Sequence, residues 1–165
     1  MTAYGIPVAP LVTVDTAEAA AAATRQLGTP VAVKAEGQDL VHKSDVGGVR
    51  LGLGSAAEAA RAYREMATRL AGRMTGAVVQ SMVPAGVEVV VGVAHDPAFG
   101  PLVMFGLGGV TTDLLDDHAF RALPLTDVDA AELVRSVRAA PLLFGYRGAP
   151  TVDVAAVEDL VLRVA

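Results

Sequence analysis

Apolar residues before position 75 recur with two different periods. Over 15–27 and over Ser55–Gly72 they recur every three or four positions, which predicts two helices. Each segment begins with a capping-box pattern, Asp-x-x-Glu in the first and Ser-x-x-Glu in the second. The runs 31–34 and 49–53 are short and largely apolar, which predicts two strands. A polar loop joins these strands.

Beyond position 75 the pattern changes to a series of strands followed by two helices. Proline and glycine separate the apolar runs and mark turns between them. The last two segments have apolar residues on one helical face and begin at Thr126 and Asp153, both good N-caps. The predicted strands cover 78–83, 87–94, 102–105 and 120–123, and the predicted helices cover 126–139 and 153 onward.

This change of pattern predicts two lobes. The predicted boundary places residues 1–83 in an N-terminal lobe and residues 84–165 in a C-terminal lobe, with Pro84-Ala-Gly86 as the hinge. A chain of 165 residues is long enough for one ordinary domain or for two small lobes.

Composition excludes several classes of protein. The chain contains no cysteine, so a disulfide framework, a thiolate nucleophile and a cysteine-ligated zinc site are excluded. Its net charge of −5 argues against nucleic acid as a partner, because binding to a phosphate backbone needs an extended basic face. Prolines and acidic residues break the apolar run near the start, so we expect neither a signal peptide nor a membrane span. A cytoplasmic location is the default expectation.

Both lysines of the chain, Lys34 and Lys43, lie in or beside the loop between the first two predicted strands, although the chain has 11 arginines. A lysine at the end of a buried strand places a compact positive charge where it can meet phosphate oxygens. For Lys34 alone, a strand-end lysine whose stem covers apolar surface is an equally good interpretation. Because both lysines share one loop, we favour phosphate binding.

The same loop contains further candidate groups for phosphate chemistry. Gly47-Gly48 permits close approach of the backbone and amides turned toward an anion, while Lys43 and Ser44 supply donors. A glycine pair between two strands is, however, more often a simple hairpin turn. His42 could accept a phosphoryl group or only donate a hydrogen bond, and a loop histidine usually does neither.

The second half of the chain offers carboxylates. Asp113, Asp116 and Asp117 lie close together, which suits Mg²⁺ held through water or the solvated start of a helix. Glu88 follows the hinge on an otherwise valine-rich strand, so its carboxylate either faces a cleft or pairs with an arginine. Residues 106–109 are similar to a dinucleotide-binding turn but lack the third glycine, which argues against a nicotinamide site.

Several motifs occur in a fixed order over nearly the whole chain. They are Tyr4-Gly-Ile-Pro7, Val33-Lys34-Ala35, Val41-His-Lys-Ser-Asp-Val-Gly-Gly-Val49, Gln80-x-Met-Val-Pro84, Gly86-Val-Glu88 with Gly92, Asp96-Pro-x-Phe-Gly-Pro101, Met104-Phe-Gly-Leu-Gly-Gly109 and Phe120-Arg121. Together they resemble the ATP-grasp domain of the NDP-forming acyl-CoA synthetases, relatives of the succinyl-CoA synthetase β subunit. The resemblance implies a two-lobed ATP-grasp fold of class α+β, with mixed sheets and flanking helices.

The resemblance also implies binding of ATP and Mg²⁺. In that family the lysine matching Lys34 grips the ATP phosphates, the segment matching 80–83 lies along the adenine, and the glutamate matching Glu88 faces the nucleotide cleft. The expected nucleotide-binding residues are Lys34, Lys43, Ser44, Gly47, Gly48, Gln80, Ser81, Met82, Val83 and Glu88.

The implied reaction converts a carboxylic acid, CoA and ATP into acyl-CoA, ADP and phosphate by way of a phosphohistidine. That phosphohistidine belongs to a CoA-binding and ligase domain or subunit, which is the expected partner, and the histidine matching His42 is a second relay point. The alternative function is that of a non-catalytic ATP-grasp relic, acting as a scaffold or as a regulatory module, for example of a fused acetyltransferase.

The chain departs from the family pattern in two places. Family chains normally continue past the last helix with an acidic-Asn-Pro-Leu strand and a further aspartate, the Mg²⁺ ligands of the fold, so we expect a truncated domain. The usual glutamate at position 113 is an aspartate here, one methylene shorter. Asp113 and Asp117 are the candidate metal ligands that this chain itself offers.

Overall fold

The computed structural model divides the chain into two compact units. One unit consists of Val8–Pro84, and the other consists of Met1–Pro7 together with Ala85–Ala165. The change of unit after Pro84 lies next to the lobe boundary expected from the sequence, whereas the first seven residues lie with the second unit. The structure describes residues 1–40, 42–109 and 112–165.

The unit of residues 8–84 is a four-stranded sheet with two helices. Its strands are β1 (Leu11–Val14), β2 (Val31–Glu36), β3 (Val49–Leu53) and β4 (Gly76–Ser81), and its helices are α1 (Ala17–Leu27) and α2 (Ala56–Leu70). The strands lie in the order β1-β4-β2-β3, so the central strands β4 and β2 come from opposite ends of the unit's sequence. The two helices pack against each other and against β2.

Alternation along β2 decides which side chains of this sheet are buried against the helices. Val31, Val33 and Ala35 are completely buried in one cluster with Met66 of α2. Successive side chains of a strand point to opposite faces, so Lys34 points away from this helical core. The apolar core therefore fixes the face of the sheet on which Lys34 lies.

Capping side chains set the starts of both helices. Ser55 accepts a hydrogen bond of 3.2 Å from the Glu58 amide, as the Ser-x-x-Glu pattern predicted. In α1 the cap is Thr16, which accepts a hydrogen bond of 3.1 Å from the Ala19 amide, so the prediction of an Asp15 cap is wrong by one residue. Each cap satisfies an amide that has no partner within its own helix.

Residues 85–165 form a three-stranded meander with helices. Its strands are β5 (Val89–Asp96), β6 (Gly100–Leu107) and β7 (His118–Ala122), and its helices are α3 (Thr112–Leu115), α4 (Asp127–Ser136) and α5 (Val154–Val164). The strands pair in sequence order, and the short 3-10 helices Ala140–Phe144 and Tyr146–Gly148 follow α4. Phe105 of β6, Leu133 of α4 and Val161 of α5 are completely buried in its core. Measured by length and hydropathy, every described helix falls short of a membrane span.

The first seven residues are attached to α5. The Arg163 guanidinium donates a hydrogen bond of 3.0 Å to the Tyr4 carbonyl oxygen and pairs with Asp159 one turn earlier on the same helix. Ile6 is buried and lines a cavity together with residues of α5. These contacts explain why the segment lies with the second unit, although its position in the sequence placed it in the first lobe.

Every strand pairing in the described residues is antiparallel, whereas the family resemblance led us to expect mixed sheets. Neighbouring parallel strands need a long crossover connection between them. Within the described ranges, no crossover helix packs on the sheet between β2 and β3 or between successive strands of the meander, so these neighbours run antiparallel. The sequence pattern does not predict β1, because this strand has only four residues and follows two prolines.

The loop after β2 begins at a glycine that has no room for a side chain. A Cβ atom at Gly37 would overlap the Arg73 carbonyl oxygen and lie 3.1 Å from Leu40 Cδ1. We expect Gly37→Ala to lower the free energy of unfolding by about 2–3 kcal/mol, because such overpacking forces backbone to move. Urea unfolding followed by circular dichroism measures this loss.

Gly54→Ala is the matched control within the same unit. The nearest atom to its new Cβ would be a Glu58 carboxylate oxygen at 3.8 Å, an ordinary contact distance. This variant should remain within about 1 kcal/mol of the wild type. Equal losses of unfolding free energy in the two variants would contradict the claim that position 37 has no room for a side chain.

Candidate functional site

Lys34 of β2 is held by an uncharged partner on the neighbouring strand. Its ammonium donates a hydrogen bond of 2.7 Å to Gln80 Oε1 on β4, and the Gln80 amide nitrogen lies 3.5 Å from the Ala9 carbonyl oxygen. Lys34 and Gln80 are both half-buried. Among the described residues no carboxylate forms an ion pair with this ammonium. The positive charge is therefore positioned but not neutralised.

The sheet face that carries Lys34 is open along β1. Leu11 lies opposite Gln80 and Thr13 lies opposite Val78, so these cross-strand partners share one face. Leu11 is 47% exposed and Thr13 is also exposed. An apolar surface that remains open beside a fixed cation suits a ligand with both a flat apolar part and an anionic part.

The segment after Gln80 continues this open surface. The Ser81 amide donates a hydrogen bond of 3.0 Å to the Pro10 carbonyl oxygen, and the Met82 amide donates one of 3.0 Å to the Pro30 carbonyl oxygen. These bonds fix the backbone, while the side chain of Met82 is partly exposed and that of Val83 is 66% exposed. The segment thus presents apolar side chains from an ordered backbone.

The loop between β2 and β3 folds into tight turns that use its own amides. The Gly47 amide donates a hydrogen bond of 3.1 Å to the Ser44 carbonyl oxygen, and the Gly48 amide donates one of 2.6 Å to the Lys43 carbonyl oxygen. Both amides thus donate within the loop, and a role of Gly47 and Gly48 in nucleotide binding stays a prediction. Lys43 is half-buried, whereas Ser44 and His42 are exposed. Val41, part of the motif around His42, lies outside the described residues.

Two arginines that the sequence analysis did not single out converge on Gly47. Arg50 donates hydrogen bonds of 3.0 Å from Nη1 to the carbonyl oxygens of Gly47 and Val49. A Cβ atom at Gly47 would lie 2.9 Å from Nε of Arg69, which comes from α2. Gly47 has a φ of 72°, a conformation that glycine adopts without strain. This turn and the nearby Arg69 side chain explain why residue 47 is a glycine.

Glu88 belongs to the second unit and lies over the turn after β6. The Gly108 amide donates a hydrogen bond of 2.8 Å to the Glu88 carbonyl oxygen, and a Cβ atom at Gly109 would lie 2.6 Å from Glu88 Oε2. Glu88 is exposed and, with Leu107 and Leu142, lines an open depression. Among the described residues it has no arginine partner, so the structure favours the open-cleft alternative for its carboxylate.

Asp117 has a structural role that was not predicted from its place beside Asp113 and Asp116. Its side chain is only 7% exposed, and its two oxygens accept hydrogen bonds of 2.8 and 2.7 Å from the amides of Arg138 and Ala139. The Arg138 guanidinium lies 3.5 Å away. The carboxylate therefore joins the start of β7 to the residues that follow α4.

These bonds argue against Asp117 as a metal ligand, because both of its oxygens already accept hydrogen bonds. The side chain of Asp113, the other candidate ligand, lies outside the described part of the structure. In the part that is described, no group of three or more acidic or histidine side chains is arranged to hold a metal ion.

Burial and hydrogen bonding act in opposite directions on the Asp117 carboxyl. Burial raises its pKa, but the hydrogen bonds from the Arg138 and Ala139 amides, together with the Arg138 charge, lower it by more. The net result is a pKa below the ordinary value of 3.8. The folded state thus favours the ionised form.

The structure brings only some of the predicted residues together. Lys34 and Gln80 are in direct contact, and the loop residues His42, Lys43, Ser44, Gly47 and Gly48 form one series of turns. Glu88 and Asp117 lie in the other unit. No sequence signal could have identified Arg69, because it reaches Gly47 from a helix that begins after the next strand.

The whole chain, residues 1–165, matches the family model described as an ATP-grasp domain. The chain belongs to the ATP-grasp family. This match confirms the family and the α+β fold class expected from the motifs around Lys34 and Gln80.

The ATP-grasp domain is similar to ligases of known sequence. It is 43% identical over 167 residues to acetate–CoA ligase [ADP-forming] I of Archaeoglobus fulgidus, a match that covers 98% of this chain but only 24% of the ligase. It is 37% identical over 166 residues to acetate–CoA ligase [ADP-forming] I subunit beta of Pyrococcus furiosus, a match that covers 98% of this chain and 72% of that subunit. The chain thus spans about a quarter of the first relative's length.

The ATP-grasp domain is also similar to a solved enzyme, acetyl-coenzyme A synthetase 1 of Ca. Korarchaeum cryptofilum. Its complex with coenzyme A, Ca-AMPCP and HgCl+ superposes with a TM-score of 0.92 at 41% identity, over 99% of this chain and 73% of that chain. A second complex contains coenzyme A and Mg-AMPPCP, with the phosphohistidine segment pointing towards the nucleotide binding site. It superposes with a TM-score of 0.84 at 42% identity, over 99% and 71% of the two chains.

Replacing Asp117 tests its role as an anchor between β7 and the end of α4. We expect Asp117→Asn to lower the free energy of unfolding by about 1.5–3 kcal/mol at neutral pH, because the amide nitrogen cannot accept the second backbone hydrogen bond. Since folding lowers the pKa of Asp117, its contribution is present above 3.8 and is lost as the pH falls below that value toward the folded-state pKa. Urea unfolding at a series of pH values measures both effects.

The neighbouring Asp116 provides the control, because its side chain is 82% exposed. Asp116→Asn should change the free energy of unfolding by no more than about 0.5 kcal/mol at neutral pH. A difference between Asp117→Asn and the wild type that stays constant at all pH values would contradict an ionised anchor.

Proposed function

We propose that this ATP-grasp domain is the nucleotide-binding half of an ADP-forming acyl-CoA synthetase. The overall reaction would convert a carboxylic acid, CoA and ATP into acyl-CoA, ADP and phosphate. The observation that carries the proposal is the Lys34 ammonium, which is fixed 2.7 Å from Gln80 Oε1 on an open sheet face and has no carboxylate partner among the described residues. The similarity to ADP-forming ligases supports the type of reaction.

Lys34 would hold the phosphates of ATP. An ammonium bound to a neutral amide retains its full charge, and a half-buried position increases its attraction for an anion compared with that in bulk water. The hydrogen bond to Gln80 limits the movement of the long lysine side chain before the nucleotide binds. Less conformational entropy is then lost on binding.

The segment Gln80–Val83 would lie along the adenine. Its backbone is fixed by the hydrogen bonds of Ser81 and Met82 to two proline carbonyl oxygens, and its apolar side chains remain partly exposed. A flat purine covers such a surface without requiring it to refold. Lys43 and Ser44 remain candidate donors to the phosphates from the neighbouring loop, and Glu88 remains a candidate nucleotide contact on the second unit.

Mg²⁺ would accompany ATP, as it accompanies AMPPCP in the Korarchaeum complex. Mg²⁺ needs few protein carboxylates because it keeps several of its waters. The described residues do not supply a set of ligands, since Asp117 is engaged by backbone amides and the side chain of Asp113 is not described. We therefore assign no catalytic step to a metal-binding residue of this chain.

His42 would relay the phosphoryl group. Its imidazole is exposed on the loop next to Lys43, where a nucleophilic nitrogen is accessible to a substrate. In that step the bond between the γ-phosphorus and the bridging oxygen of ATP breaks, a bond from phosphorus to an imidazole nitrogen forms, and ADP leaves. The phosphoryl group then passes to a histidine of the partner, and His42 is regenerated.

The partner would be a CoA-binding and ligase domain or subunit that carries this second histidine. The Pyrococcus relative is named as a beta subunit, which implies a second type of subunit, and the Korarchaeum complex contains both coenzyme A and a phosphohistidine segment. A cytoplasmic location belongs to the same proposal, because ATP and CoA are cytoplasmic metabolites. The names of the relatives as ligases disfavour the alternative of a non-catalytic scaffold.

Isothermal titration with Mg-ATP tests the nucleotide role. Lys34→Ala should weaken binding by about 1.5–3 kcal/mol, the contribution of a charge-assisted hydrogen bond. Arg25→Ala removes an equal charge from the exposed last turn of α1 and should leave the affinity unchanged. Equal affinities of the wild type and Lys34→Ala would exclude Lys34 from nucleotide binding.

Turnover of the complex with the CoA-binding partner tests the relay. His42→Ala should reduce ATP formation from acyl-CoA, ADP and phosphate by more than about 1000-fold, because removal of a nucleophile abolishes the covalent route. Mg-ATP affinity should be retained, and acid-labile label from γ-labelled ATP should disappear from this chain. His95→Ala, which changes an exposed histidine of β5, should retain both activity and label. Retention of most activity in His42→Ala would return His42 to a structural role.

A further inference from the structure

Arg50 and Arg69 bring two positive charges to one residue without a carboxylate. Arg50 donates to the Gly47 carbonyl oxygen at 3.0 Å, and Arg69 packs so closely on Gly47 that a Cβ atom there would lie 3.0 Å from its Cζ. In the described residues neither guanidinium takes part in an ion pair. Two like charges beside one residue repel each other unless an anion or water compensates them.

These arginines lie on the opposite side of the sheet from Lys34. Arg50 is the cross-strand partner of Val33, whose side chain is buried against the helices, whereas Lys34 is the partner of Val49. Cross-strand partners point to the same face, and neighbouring positions point to opposite faces. The sheet therefore separates the two arginines from Lys34 and Gln80, whereas Gly47 of the loop lies beside both arginines.

The same two arginines line an open depression between β3 and α2. Its other lining residues are Arg64, Glu65 and Thr68. Arg64 pairs with Glu18 at 2.9 Å, and Glu65, the one carboxylate of the lining, lies 3.7 Å from Arg61 on the previous turn of α2. The acidic groups near the depression thus already have basic partners, and the surplus positive charge belongs to Arg50 and Arg69.

We propose that Arg50 and Arg69 bind a phosphate oxyanion in this depression, on the face of the sheet opposite Lys34. Toward the part of the chain that the structure describes, Arg50 donates from Nη1, so Nε and Nη2 can donate to a ligand. Each guanidinium offers paired donors in a planar fork. Two forks from separate elements match the oxygens of a tetrahedral phosphate, whereas the two oxygens of a planar carboxylate match a single fork.

Nuclear magnetic resonance of the arginine Nε–Hε groups in the 165-residue protein tests this site. Titration with sodium phosphate at constant ionic strength should shift the Arg50 and Arg69 signals in a saturable manner. Arg69→Gln should weaken the apparent affinity by about tenfold or more, as expected for loss of a charge-assisted contact. Arg25→Gln removes the same charge from the exposed last turn of α1 and should retain the wild-type affinity.

Further titrations distinguish this site from the Lys34 site and from nonspecific anion binding. Lys34→Ala should leave the phosphate affinity unchanged, and loss of the response in that variant would overturn the proposal while leaving the nucleotide role intact. Acetate as effective as phosphate, or shifts that do not saturate, would also overturn it. When phosphate binding is confirmed, a titration with ADP identifies the source of the phosphate. Saturation of the Arg69 signal at a lower concentration of ADP than of inorganic phosphate assigns the site to a nucleotide phosphate, and saturation at a higher concentration assigns it to free phosphate.

Arg69→Gln also needs a check of its fold. Because Arg69 is exposed, the variant should unfold at about the same urea concentration as the wild type in the absence of phosphate. Loss of phosphate binding together with unchanged stability then reports the site itself. A large loss of stability in phosphate-free buffer would show that Arg69 is a structural residue and would contradict the proposal.

Discussion

The hydrogen bond between the Lys34 ammonium and Gln80 Oε1 is the interaction on which the proposed nucleotide site depends. A carboxylate at position 80 would form an ion pair and cancel the charge, whereas the neutral amide positions the ammonium and leaves its charge available. The amide nitrogen of Gln80 lies 3.5 Å from the Ala9 carbonyl oxygen, which steadies the amide from the side of β1. One polar side chain on the central strand β4 thus connects the cation of β2 to the chain that enters β1.

The apolar core determines where this interaction lies. Val31, Val33 and Ala35 must face the helices to bury their side chains, and the two-residue period of a strand then directs Lys34 to the other face. The same constraint acts on β3, where Arg50 lies opposite Val33 and is directed toward α2. Positive charges on opposite faces of one thin sheet therefore follow from the register of two strands, without any special loop geometry.

The sequence predicted the elements that depend on local signals. The Ser55 cap and the strand that begins at Val31 were found because each has a short-range chemical cause. That strand continues past Lys34 to Glu36, so Lys34 lies within it and the prediction that it ends the strand is wrong. Contacts across long separations were not predictable. Gln80 as the partner of Lys34 requires the order β4-β2, and Arg69 beside Gly47 requires the packing of α2, and neither arrangement is encoded in a spacing along the chain.

The glycine pair and the acidic cluster show which contacts residue type alone does not predict. Gly47 and Gly48 were expected to turn their amides outward, but an amide in a tight turn donates most readily to the carbonyl oxygen three or more residues earlier. Asp117 was expected to bind a metal because of its acidic neighbours, but its side chain is buried, whereas that of Asp116 is exposed. A buried carboxylate needs donors on both oxygens, and the amides after α4 supply them. Asp117 therefore holds the start of β7 in place, and Arg138 donates a hydrogen bond of 2.7 Å to the Leu115 carbonyl oxygen at the end of α3.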